Sequence, residues 1–217
     1  MKIENIRRFF VILFAYIRKK YYFCSGIMCP VRERITLFCK SLIYKMMKPQ
    51  DLLIILKKMT RDGKGLSCRG LAASLGMNPS SVSESLERSK KAQLVDRNKK
   101  RVNTLALHEF LVHGVQYVFP AEVGRVGRGM PTYVSASPIK EQLTTTSDTY
   151  VWHDVKGSAR GQQIEPLYNT VLQAVKKDNE LYQLLVIVDT LRMGRVRERE
   201  IAISELNKRI NDYAENQ

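Results

Sequence analysis

The sequence predicts a mainly α-helical fold with a small β element near its middle. Apolar residues recur at helical spacing in the first half of the chain and again towards its C-terminus, with Gly and Pro between the periodic stretches. A short basic run at 96–101 follows Leu94-Val95, as is typical of a tight turn beside a strand. The 217 residues, 44% of them hydrophobic, suffice for a hydrophobic core.

The charge of the chain narrows the class of partner. A net charge of +15, from 36 Lys+Arg against 21 Asp+Glu, favours a polyanion such as nucleic acid or an anionic membrane surface. The cysteines and histidines have no metal-ligand spacing, so we expect no metal, no cofactor and no enzymatic centre. We interpret the cysteines as free thiols, which are typical of a reducing cytoplasm. The four cysteines are Cys24, Cys29, Cys39 and Cys68.

Residues 1–47 differ in composition from the rest. They hold ten Lys+Arg and two acids, and their apolar run, Phe9–Ile17, has nine residues where a membrane-spanning helix needs about 20. Three interpretations are open: a basic segment that lies on a membrane, an extra DNA-binding or packing helix, and a misassigned start codon. The change of composition directly after Met46-Met47 favours the third.

Three helices are expected between residues 48 and 92. The first is opened by Pro49 and ends before the Arg61–Gly65 break. Ser67 is expected to cap the second, which ends at Gly76, a residue suited to positive φ. Asn78 is expected to cap the third, which runs from Pro79 to about Ala92.

The third helix has two distinct faces on a helical wheel. Val82, Ser85, Leu86 and Ser89 project inward. Ser80, Glu84, Glu87, Arg88 and Lys91 project outward, with Ser81 and Ser83 on the flanks. We expect Glu87 to pair with Arg88 or Lys91, whereas Glu84 either does the same or accepts from a cytosine amino group.

This region resembles the DNA-binding core of MarR-type winged helix-turn-helix regulators. The resemblance rests on the run Leu71-Ala72-x-x-Leu75-Gly76-x-x-Pro79-Ser80-x-Val82-Ser83-x-x-Leu86-x-Arg88-x-x-x-Ala92-x-Leu94-Val95. It covers about a quarter of the chain, and it implies a homodimer whose third helix reads base edges. It also implies a wing, Asp96–Arg101, that touches phosphate or the minor groove.

Together, residue chemistry and resemblance give a set of expected DNA contacts. Small serines at a helix N-terminus allow close approach to the major groove, and long basic side chains suit phosphates. The set is Asn78, Ser80, Ser81, Ser83, Glu84, Arg88, Lys91, Arg97, Lys99, Lys100, Arg101, Arg125 and Arg128.

The second half of the chain is expected to begin with a helix at Leu105–Val118. Gly124–Gly129 is expected to be a mobile basic loop, whose arginines either reach phosphate or lie on a plain surface. Thr144–Gln163 is expected to be irregular, anchored by Trp152.

The C-terminal part is expected to be helical, with one apolar stripe and Asp189 as partner of Arg192. The stripe is Leu181, Leu184, Leu185, Val188 and Leu191. Arg195, Arg197 and Arg199 alternate with glutamates, which favours a salt-bridged helix start or subunit interface over an anion site.

The predicted fold is thus a winged helix-turn-helix followed by a helical C-terminal region. We divide it into a basic extension (1–47), a DNA-binding domain (48–119), a loop-rich basic connector (120–163) and a helical dimerisation or partner-binding region (164–217). The expected function is that of a cytoplasmic, nucleoid-associated transcriptional regulator, which binds a palindromic operator in double-stranded DNA as a homodimer. The alternative is a DNA-recognition or adaptor subunit of a larger assembly, such as a toxin–antitoxin or phage-defence complex.

Overall fold

The computed structural model describes residues 46–143 and 148–215, and the residues from Met47 onward form one compact unit. The three interpretations of the N-terminal segment fall on residues outside the described part. The fold is mainly helical, with a small three-stranded sheet and a helical C-terminal region.

The first three helices form as the sequence predicts, and their caps are confirmed. The Ser67 hydroxyl accepts from Gly70 N at 3.2 Å, and Asn78 Oδ1 accepts from Ser80 N at 3.1 Å. Gly76 ends a helix with φ of 64°, where a side chain would be strained. The helices are α1 (Pro49–Met59), α2 (Cys68–Leu75) and α3 (Pro79–Lys91), with a 3₁₀ turn at Arg61–Gly63.

The strand expected to begin at Leu94-Val95 is reduced to a single antiparallel bridge between Val95 and Val102. The chain reverses between them because the Asp96 carboxylate accepts from the backbone N–H of Lys100 at 2.6 Å and of Arg101 at 3.1 Å. The ladder does not extend further because one helix ends at Lys91 and the next begins at Thr104. Buried Val95 and Val102 fix its base in the core.

A contact with the end of the chain holds this turn. Val102 N donates to the Tyr213 hydroxyl at 3.2 Å, in a buried hydrogen bond. Replacing Tyr213 by Phe leaves this N–H without that acceptor, and we expect a loss of about 1–3 kcal/mol in the free energy of unfolding. Urea denaturation measures the loss, and hydrogen exchange should show the Val102 amide exchanging faster. Unchanged exchange there would show that the bond does not hold the turn.

The helix expected at Leu105–Val118 is confirmed, with one widened turn inside it. It comprises α4 (Thr104–Glu109), a π-helical turn (Phe110–Gly114) and α5 (Val115–Val118). Leu107, Leu111 and Val115 are buried in the common core.

The segments predicted to be loops contain the sheet, and both predictions were wrong. The strands are β1 (Val123–Pro131), β2 (Tyr150–His153) and β3 (Ala159–Ile164). Each pairs with both others: β1 is antiparallel to β2 and β3, which are parallel to each other. Such close strands need glycine, since a Cβ on Gly129 of β1 would lie 2.0 Å from the Trp152 carbonyl oxygen of β2. Glycines that indicated loops are therefore packing sites.

The C-terminal region is helical, as predicted. Its helices are α6 (Val171–Val175), α7 (Asn179–Met193) and α8 (Val196–Glu215). The expected apolar stripe of α7 is buried, but Val186 and Ile187 are buried too, so α7 is a central helix rather than an amphipathic one.

A buried polar cluster joins α7 to the sheet. Asp189 forms the expected ion pair with Arg192 at 2.7 Å. Its carboxylate also accepts from Trp152 Nε1 at 2.7 Å and from Thr132 Oγ1 at 2.8 Å. Trp152 is only 1% exposed, which confirms it as the packing anchor of β2.

Within the described residues, none of the helices combines the length and apolar character required to cross a membrane.

Candidate nucleic-acid interface

The N-terminal half of α3 presents small polar side chains to solvent. Ser80 and Ser83 are exposed and Ser81 is half-buried. Asn78 is exposed, and its Oδ1 accepts both the Ser80 N–H and, at 2.9 Å, the Ser80 hydroxyl. This end of the helix is therefore fixed by its cap and free of bulky side chains.

The opposite face of α3 packs into the core as predicted. Val82, Ser85, Leu86 and Ser89 are all buried. The Ser89 hydroxyl donates back to the Ser85 carbonyl at 2.9 Å, which satisfies it within the helix.

Arg88 does not project outward, and this expectation was wrong. Its side chain is 4% exposed, and Nε and Nη2 donate to the Asp51 carboxylate at 2.8 and 2.7 Å. Helix α1 covers this flank of α3 and places a buried acid beside it, which a wheel for α3 alone could not reveal. Arg88 therefore fixes α3 against α1 and is not available to a ligand.

The acidic residues of α3 are engaged by cations. Glu84 lies 3.8 Å from Arg88 Nη1, while Glu87 pairs with Lys99 rather than with Arg88 or Lys91. The Lys99 ammonium holds the pKa of the Glu87 carboxyl below its usual range. Lys99 therefore links the 96–101 turn to α3, a contact that the sequence did not predict.

An open groove lies between the C-terminal end of α3 and the 96–101 turn, and we call it the cationic groove. Its lining includes two pairs of basic residues, one from each element: Lys90, Lys91, Arg97 and Arg101. Lys91, Arg97 and Arg101 were predicted; Lys90 was missed, although it is adjacent to Lys91. Lys100, also predicted, is exposed on the same turn.

The backbone of the groove is shaped by two residues that the sequence did not single out. Gln93 has φ of 60°, and its carbonyl accepts from Asn103 Nδ2 at 3.0 Å. This reversal brings the turn beside the helix end. Glutamine gives no sequence signal for positive φ, so the groove could not be predicted.

Two further predicted residues, Arg125 and Arg128, lie on β1 rather than in a loop. Both are exposed, and Arg128 faces Arg160 of β3 in the strand register. Arg160 was missed because its segment was expected to be irregular.

Arg199, at the start of α8, is a structural residue. Its guanidinium donates to the main-chain carbonyls of Leu191 at 2.9 Å and Val112 at 2.8 Å. Glu198 binds the Arg195 backbone N–H at 2.7 Å and the Tyr133 hydroxyl. The N-terminal end of α8, which was predicted to be held by salt bridges, is thus held mainly by hydrogen bonds to backbone groups.

Comparison of the chain with protein-family models, with curated proteins and with solved structures gave no significant match.

Proposed function

We propose that this protein binds double-stranded DNA through α3 and the cationic groove, as a winged helix-turn-helix with a reduced wing. The observation that carries the proposal is the division of α3: a small, exposed, polar N-terminal half, and a C-terminal end that lines a groove with four basic residues. A helix N-terminus without bulky side chains can enter the major groove, and basic residues at the flank suit phosphates.

The supporting electrostatics favour a polyanion over a neutral partner. Of the acids of α3 that would repel phosphate, Glu87 is paired with Lys99, whereas Glu84 lies 3.8 Å from Arg88, whose charge is already paired with Asp51. Asp96, which lines the groove, accepts from two backbone amides of its own turn. The basic residues of the groove therefore dominate its field.

We further propose that the protein is a homodimeric transcriptional regulator. The Thr104–Val118 helix carries apolar side chains on the surface, with Leu105 74%, Tyr117 75% and Val118 49% exposed. A second copy of the chain would cover them and place two α3 helices on one palindrome. The same surface could instead bind a different protein, which gives the second candidate function, an adaptor that binds both DNA and that protein. If sedimentation showed a monomer that binds single half-sites, this second candidate would be favoured.

The groove provides the test of DNA binding. The double variant Arg97→Ala, Arg101→Ala should bind a selected operator and a scrambled duplex more weakly by similar factors, because phosphate contacts carry no sequence information. The slope of log affinity against log salt should fall by up to about 2 units. Fluorescence anisotropy titrations of the full chain at several salt concentrations measure both quantities.

A matched control separates the groove from net charge. Lys140 and Arg197 are exposed and lie outside α3 and the 96–101 turn. Replacing both by Ala lowers the formal charge from +15 by two, to +13, as the groove variant does. If the two double variants lost equal DNA affinity, the loss would come from net charge alone and the groove would not contact the DNA.

A further inference from the structure

The sheet carries a pair of arginines on neighbouring strands, separate from α3 and the cationic groove. Arg128 of β1 and Arg160 of β3 are direct partners in the antiparallel register, and both are exposed. Directly opposed residues project from the same face, with Cβ atoms about 4.5–5.5 Å apart. The register thus sets two guanidinium groups together on one surface.

Among the described residues, no carboxylate pairs with the two arginines to offset their mutual repulsion. Like charges directly opposite one another destabilise a strand pair. Within residues 46–143 and 148–215, neither arginine forms an ion pair with a carboxylate. Asp154 is the nearby acid, since its N–H donates to the Arg128 carbonyl at 3.3 Å, but its carboxylate binds Lys176 Nζ at 2.6 Å.

The surroundings of the pair leave it accessible. The next register partners on this face are Val126, which is exposed, and Gln162, which is half-buried and can donate through its amide. Two planar guanidinium groups beside an amide suit the oxygens of a phosphodiester, which arginine binds in a bidentate manner.

We propose that Arg128 and Arg160 form a clamp for the phosphate backbone of DNA, outside the stretch that α3 reads. The inference rests on the proposed DNA binding and adds a second contact surface to it. A phosphate bound between the two arginines would offset the repulsion between their like charges. It also gives the sheet a role in affinity without sequence preference.

A chain of side-chain contacts links the start of α3 to the end of β2. A Cβ at Gly76, just before α3, would lie 3.1 Å from Gln173 Oε1 of α6, and Lys176, which directly follows α6, binds Asp154. Two side chains and one helical turn of 5.4 Å place Gly76 within roughly 20 Å of Asp154. One turn of DNA is about 34 Å long, which exceeds this separation.

The test uses the full chain, a selected operator duplex and two variants. Arg128→Ala, Arg160→Ala removes the clamp, and Arg160→Glu replaces the like-charge pair by an opposite-charge pair that suits the strands better. The Lys140→Ala, Arg197→Ala variant is the control for lost charge. Anisotropy titrations across salt give affinity and slope, and thermal unfolding gives Tm.

We expect the clamp variant to flatten the salt slope by about 2 units relative to the control, and to weaken binding at least tenfold at about 0.15 M salt. Arg160→Glu should weaken binding more than the control, which changes the net charge by the same amount, while its Tm is no lower than that of the wild type. A slope equal to that of the control would overturn the clamp and leave the α3 interface standing. Absence of duplex binding by the wild type would overturn both.

Discussion

Replacing Asp51 by Ala should lower the free energy of unfolding by about 3–5 kcal/mol, the largest effect we expect from a single substitution. The change leaves the Arg88 guanidinium buried at 4% exposure without the carboxylate that accepts two of its N–H groups. It also removes the acceptor for Lys48 N, 2.8 Å away, at the start of α1. Urea denaturation measures the loss.

The matched control removes both charges at once. Asp51→Leu with Arg88→Met replaces the pair by apolar side chains, and buried ion pairs exchanged in this way are often neutral or stabilising. We expect the double variant to be more stable than either Asp51→Ala or Arg88→Ala. If the double variant were as unstable as the sum of the two single variants, the pair would not be the reason for the burial of Arg88.

This pair also explains why the orientation of α3 is fixed. Arg88 projects from α3 to a carboxylate on α1, so the ion pair ties the two helices together and sets which serines of α3 remain exposed. In Asp51→Ala molecules that stay folded, DNA affinity should therefore fall although position 51 is buried and touches no ligand.

The helices and caps of residues 49–91 were predictable because their signals are local. Ser67, Gly76 and Asn78 each act on backbone groups within three or four residues, so the sequence alone places them. The inward face of α3 followed from periodicity for the same reason.

The errors arose where a distant element decides the outcome. Arg88 was placed outside because its partner, Asp51, is 37 residues away. Strand β1 was read as a loop because of its glycines, but Gly127 and Gly129 give the strands room to approach instead of breaking them. Glu87 was expected to pair with Arg88 or Lys91 because nothing local links it to Lys99.

The central claim is that the exposed N-terminal half of α3 reads DNA bases, and Ser83 gives its most direct test. Ser83→Glu puts a longer, negatively charged side chain on this exposed face, where it should meet base edges and phosphates. The matched control is Ser204→Glu, the same change at an exposed serine of α8.

The decisive measurement is the ratio of affinities for a selected operator and a scrambled duplex, at two salt concentrations. We predict that Ser83→Glu lowers this ratio by about 1–3 kcal/mol, or roughly 5- to 150-fold, because contacts to bases carry the preference. Ser204→Glu should leave the ratio unchanged. A Ser83→Glu protein that retains the wild-type ratio would contradict the account, because α3 would then not be the element that reads the sequence.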